Sequence, residues 1–280
     1  MVEEVREQVI RASAYRPYEG GKRVFVIEAA EAMRDEAQNA LLKTLEEPPE
    51  FVHLILLTSE PAALLETISS RCQPVDFAPL SVAAVEATLG EGGGDADEIS
   101  AAARLSAGDV ELARLLFDEP GRKLRAEAEE LAAAVRGGGP AESSWRAMLK
   151  SAEEAGEGAE SAAREVLEAD KEAGVKRSAR DIADAAKRAG RRRRTELLDL
   201  ALRLAAAWFR DLAAVASGAG HIAYNRDRLP QLRSQATDLD PSAARRAVEL
   251  VEDTRRRLDL NVSEELALEA LSFRLAAVLA

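Results

Sequence analysis

Arginine at a helix-to-strand junction is a group that can do chemistry, and the stretch Leu64–Phe77, "LLETISSRCQPVDF", places Arg71 at such a point. A short helical pattern runs into Ser69-Ser70-Arg71-Cys72, and a brief strand pattern follows at Val75–Phe77. The guanidinium is a planar, permanently charged fork that matches carboxylate and phosphate oxygens. In phosphoryl transfer such a group stabilises the charge of the transition state. The spacing also offers a local carboxylate, Asp76, as a partner, and both readings stand at this point. A phosphate held by this chain itself would need a cradle. "YEGGKR" contains Gly-Lys, but a phosphate-binding loop has a glycine five residues before the second one and Ser or Thr after the lysine. Arg16 and Arg23 stand there instead.

The remaining reactive residue types give little. His53 and His221 are the only histidines, in unrelated contexts, and His53 falls within a strand pattern where a packed side chain is expected. No arrangement of Ser, His and Asp suggests a nucleophilic triad. The single cysteine, Cys72, excludes an internal disulfide and a four-cysteine zinc site, and reads as a small buried residue. No metal site is expected. Lys187, Arg188 and Arg191 to Arg194 form a basic cluster that could grip phosphates. However, an acidic segment precedes it, its arginines fall on several helix faces, and no aromatic residue interleaves to stack bases. Salt bridging within the protein or to a partner is the expectation.

Positioning these residues requires a fold, and composition bounds it. The 280 residues carry 47% hydrophobic and 31% charged side chains, only 4% aromatics and a net charge of -12. This is a globular composition with an aliphatic, mostly helical core, and the charge argues against coating nucleic acid by bulk electrostatics. No secretory signal or membrane-length apolar run stands out, so a cytoplasmic protein with no membrane partner is expected. Val2, Val5, Val9 and Ala12 open the chain at helical spacing. Val24–Ile27 and "FVHLILLTS" read as strands buried on both faces, with Val75–Phe77 a possible third. Between them Ala37, Ala40, Leu41, Thr44 and Leu45 form a helical stripe stopped by Pro48-Pro49. From Pro79 onward the patterns are helical: 82–89, 96–106, 110–117, a stretch before the linker-like Gly137–Pro140, a charged helix through 160–190, and amphipathic helices after it. Ser263 reads as the N-cap of the last.

"RVFVIEAAEAM", "NALLKTLEEPP", "HLILLTSEP" and "ISSRC" occur in the order and spacing of the bacterial AAA+ clamp loaders, and the chain resembles the delta-prime family of DNA polymerase III subunits. "NALLKTLEEPP" is the most specific of these runs. "LDLNVSEELALEALSFRL" resembles the last helix of the clamp-loader collar, while residues 150–195 match only in character. The resemblance implies a mainly α protein: a partial α/β ATPase-like domain with an incomplete parallel sheet (1–79), a helical lid (80–117) and a helical collar for oligomerisation (118–280). It implies that Glu28 ends a degenerate Walker B strand and that Thr58 holds the sensor 1 position. Ser70, Arg71 and Cys72 become the motif of an arginine finger acting in trans.

Two departures shape the functional expectation. Ala29 follows Glu28, so the second Walker B acid is missing, and the phosphate loop is absent. The resemblance therefore implies no cofactor on this chain, with ATP and Mg²⁺ on a neighbouring subunit. It implies a non-catalytic subunit of a DNA-directed DNA polymerase holoenzyme, with gamma/tau and delta as partners and the sliding clamp and primer-template DNA reached through the complex. The alternative is an autonomous ATPase with an unrecognisable nucleotide site. An N-terminally shortened chain is also expected. In the family's fold the phosphate-loop strand lies between the first two strands and Val75–Phe77. Val24–Ile27 should then pair in parallel with Leu54–Thr58 and leave Val75–Phe77 unpaired.

Overall fold

A computed structural model describes residues 5–18, 20–137, 142–172, 178–258, 260 and 262–279. The protein is mainly α, with a small parallel sheet. It divides into two units, Met1–Ala78 and Pro79–Ala280.

The first unit contains α1 (Val5–Arg11, with wide π-type turns), β1 (Arg23–Ile27), α2 (Asp35–Glu46), β2 (Val52–Leu56) and α3 (Glu66–Ser69). Parallel neighbours need a crossover, and α2 supplies it between β1 and β2. Asp35 and Glu36 in its first turn and Lys43 in its last complement the helix dipole. The pairing sets Arg23 opposite Val52 and Ile27 opposite Leu56. Phe25, Ile27, Leu54 and Leu56 pack on a core that includes Ala37 and Leu41 of α2 and Ile68 of α3.

Three expectations are corrected here. The strands are covered on one face only: Val24 and Val26 are 55% and 54% exposed, and Ile55 is 44% exposed. A continuous apolar run shows that both faces are fit for burial, but among the described residues only one layer packs on them. His53 shares the outer face and is exposed, not packed. Val75–Phe77 forms no strand, and Phe77 is almost fully exposed. Among the described residues the sheet is the parallel pair alone, as the resemblance implies.

The second unit is helical throughout its described residues: α4 (Val82–Gly90), α5 (Ala96–Leu105), α6 (Val110–Phe117), α7 (Glu119–Arg136), α8 (Glu142–Glu172), α9 (Ala179–Ala216), α10 (Leu229–Gln235), α11 (Pro241–Leu258) and α12 (Glu264–Leu279). Ser81, Asp95 and Asp109 cap α4, α5 and α6 with their side chains. One apolar core runs from Val85 on α4 through Leu131, Trp145 and Phe209 to Leu279 on α12, so residues 80–117 and 118–280 share it. The charged helix expected through 160–190 is instead two: α8 ends at Glu172, and α9 begins after Ser178, whose hydroxyl and backbone form a capping box with Asp181. α9 then continues unbroken into the apolar run that begins at Leu197. These two long helices meet at glycines. A Cβ on Gly156 would lie 2.9 Å from the Gly190 carbonyl oxygen, and one on Gly190 would lie 2.9 Å from that of Gly156. The linker-like Gly137–Pro140 falls outside the described residues beyond Gly137.

Glu127 on α7 is a buried acid in this core. It accepts a 2.6 Å hydrogen bond from Ser151 Oγ, while its Oε2 has no partner among the described residues. Burial pushes its carboxyl pKa up. An acid with a raised folded pKa destabilises the fold where it is ionised, and that penalty fades as pH falls through the folded pKa. Glu127→Gln is therefore expected to raise the thermal midpoint relative to the wild type at pH 7 to 8. The difference should shrink towards pH 4.5, the carboxyl's ordinary value. A difference that grows on acidification would contradict this.

Candidate functional site

Arg71 sits immediately beyond α3, and the placement of α3 depends on α2. Gln38, buried on α2, donates to the Met33 carbonyl at 3.0 Å and accepts from the Leu65 amide at 2.8 Å. Ile68 is fully buried and anchors the one-turn helix. The guanidinium that emerges is about one-third exposed. Its Nε and Nη2 both approach Glu46 Oε1, at 2.9 and 2.6 Å. Its Nη1 donates to the Thr67 carbonyl at 3.0 Å and to Ser70 Oγ at 3.3 Å. The carboxylate partner is thus Glu46, the last residue of α2, and not Asp76. An ion pair this exposed contributes roughly 0–1 kcal/mol, so an incoming phosphate can displace it.

Cys72 is partly buried against the same core, and burial raises its thiol pKa. A neutral thiol suits packing and not nucleophilic attack.

The other motif residues do not converge on Arg71. Glu28 is exposed just past β1, and Ala29, at the position of the missing second acid, adopts a left-handed conformation with φ 48°. Thr58 follows β2, and its Oγ1 accepts from the Glu60 amide at 3.0 Å. The acid gathered here is Glu31 and not Glu28. Its own backbone N–H, Thr58 and Ser59 hydrogen-bond to it and hold its pKa below the usual value, with Ser59 Oγ at 3.0 Å. Glu31 and Thr58 lie four and two residues past their strand ends, a positional signal in the sequence. Gln38, a polar residue within an apolar stripe, was equally visible.

The Gly-Gly turn does not form a phosphate cradle. Gly20 and Gly21 have positive φ, but a strand follows them, whereas a phosphate loop leads from a strand into a helix. Lys22 is engaged with the Glu50 carbonyl. Among the described residues no group of three or more His, Cys, Asp or Glu gathers to hold a metal, and no helix is long and apolar enough to cross a membrane. In the basic cluster, Arg192 and Arg193 pair with Glu196, and Arg194 pairs with Glu153 on α8 and Glu264 on α12.

Residues 1–81 match the family described as "DNA polymerase III, delta subunit". Over 71 residues the chain is 44% identical to DNA polymerase III subunit delta' of Bacillus subtilis (strain 168), covering 25% of this chain and 22% of that protein. Over 122 residues it is 39% identical to subunit delta' of Escherichia coli (strain K12), covering 41% of this chain and 35% of the relative. Subunit tau/gamma of Haemophilus influenzae is 44% identical over 71 residues, 25% of this chain and 10% of its own length. The matches thus span only 22% and 35% of the two delta' relatives. A crystal structure of a gamma subunit-related protein from Thermotoga maritima superposes on 100% of this chain and 80% of its own, at a TM-score of 0.47 and 16% identity. The resemblance carried by the four motifs is therefore found again over residues 1–81.

Proposed function

We propose that this chain acts as a non-catalytic, delta-prime-like subunit of a DNA polymerase III clamp loader, presenting Arg71 to ATP bound by a neighbouring subunit. The observation that carries the reading is the Arg71 guanidinium itself. It is fixed at the surface by Glu46 and Thr67, on a unit whose own Gly-Gly turn has the wrong topology to hold a phosphate. A γ-phosphate competes with Glu46 for the fork, and a planar bidentate donor stabilises the charge that develops on it. Glu46 keeps the side chain extended until then. Glu28 and Thr58 are remnants of a nucleotide site, with Thr58 serving the local Glu31 turn. ATP and Mg²⁺ belong to the neighbour. The partners are the gamma/tau and delta subunits, with clamp and primer-template DNA met through the assembled complex in the cytoplasm.

The second unit supplies the oligomerising surface. α12 buries Leu268, Leu271 and Leu275 but also exposes Leu266 and Phe273, two turns apart on the opposite side, at 63% and 54%. A helix apolar on both sides has a second face to cover. Because the core is shared, the fragment that tests this role is 79–280, uncut at 117.

The alternative, an autonomous ATPase, is separated by titrating the isolated chain with fluorescent ATP. The expected result is no saturation into the millimolar range, that is, binding weaker than ~4 kcal/mol. Saturable micromolar binding would overturn the non-catalytic reading.

A further inference from the structure

We infer that the second unit carries a docking groove for an acidic amphipathic helix of a partner protein, a surface independent of Arg71. The groove, about 890 Å³, opens between the segment around Leu80 and Gly108, helix α9 and helix α11. Its α9 wall carries four alanines, Ala206, Ala207, Ala213 and Ala214, together with Leu200, Leu204, Arg203 and Arg210. Leu80 and Ile222, which also line it, remain 49% and 44% exposed. Small residues on one wall and uncovered large apolar ones on another form a surface on which a second helix can lie closely.

The charge on the rim identifies the occupant. Five arginines and two glutamates line the groove in a chain whose net charge is -12. Two of the five are spoken for: Arg255 pairs with Asp199 and Glu252, and Arg210 pairs with Asp211 and stacks on the Tyr224 ring at 3.7 Å. Arg203 on α9 and Arg245 on α11 make no ion pair with a described residue, although Glu249 lies one turn from Arg245 on the same rim. Unneutralised guanidinia beside exposed aliphatic surface match a helix with leucines on one face and carboxylates on the other. A nucleic acid would leave the aliphatic wall without a partner, and Tyr224, the groove's aromatic side chain, is already covered by Arg210.

The test uses the whole chain and a fluorescein-labelled helical peptide of about 18 residues, with leucines on one face and glutamates elsewhere. Saturable binding is expected, weakening as salt rises from roughly 50 to 300 mM. The double variant R203E/R245E should lose at least about tenfold in affinity with unchanged circular dichroism. Ala207→Trp, which occupies the wall without altering charge, should lose binding too. The same peptide with lysines in place of glutamates should not bind. The inference is overturned if the glutamate peptide fails to saturate, if the lysine peptide binds equally, or if both variants bind like the wild type. It is also overturned if the groove variants abolish binding of a duplex of about 20 base pairs or self-association in sedimentation, because the occupant is then nucleic acid or a second copy.

Discussion

Arg71→Ala, in a clamp loader assembled around this chain, is expected to reduce ATP hydrolysis at the site it faces by about 10³-fold or more while leaving assembly intact. The size follows from what the proposed role assigns to Arg71, a permanently charged fork offered to the transferring phosphoryl group. Arg71→Lys should fail as well, because an ammonium lacks the planar pair of donors. Glu46→Gln should act in the opposite direction and modestly. It removes the anion that competes for Nε and Nη2, and an exposed pair of this kind is worth at most about 1 kcal/mol, or roughly fivefold. Single-turnover hydrolysis resolves the three variants. Wild-type rates in Arg71→Ala would remove the finger; a Glu46→Gln variant slower than the wild type would make Glu46 a necessary support and not a competitor.

The largest stability effect is expected at Asp211. This residue is fully buried on α9, and its carboxylate accepts from the backbone amides of Tyr224 and Asn225, from Asn225 Nδ2 and from Arg210, all at 2.8–2.9 Å. Asn225 in turn accepts from Arg125 on α7, which pairs with Asp227 at 2.6 Å. Asp211 therefore fastens the turn after α9 to two long helices. Asp211→Ala strands buried donors and a cation together, and removing one partner from such a cluster costs about 3–5 kcal/mol. Denaturant unfolding should show a lower midpoint with an unchanged slope. A loss under about 1 kcal/mol would mean that the donors find water or other partners.

Local signals in the sequence carried the elements well. Helix α6 falls on 110–117 as expected, the Pro48-Pro49 stop closes α2, and the β1–β2 pair forms in parallel. The break between α8 and α9 was also legible, since Ser178 and Asp181 have capping-box spacing, but the surrounding charge obscured it. Burial was harder to read. Val24, Val26 and His53 have residue types that a sheet can cover, and whether anything covers them depends on layers that local pattern does not encode. The partner of Arg71 was illegible for a related reason. Glu46 lies 25 positions away and meets Arg71 because Gln38 pins the start of α3 onto α2. The groove arginines likewise sit on separate helices and share a rim only once α9 and α11 pack.

The most direct test of the central claim is photo-crosslinking with an ATP analogue whose reactive group is carried on the γ-phosphate. In the assembled loader the label should reach this chain at residues around Arg71, and the isolated chain should take up none. Labelling of the isolated chain, or of the assembled loader's other subunits alone, would contradict a finger offered in trans.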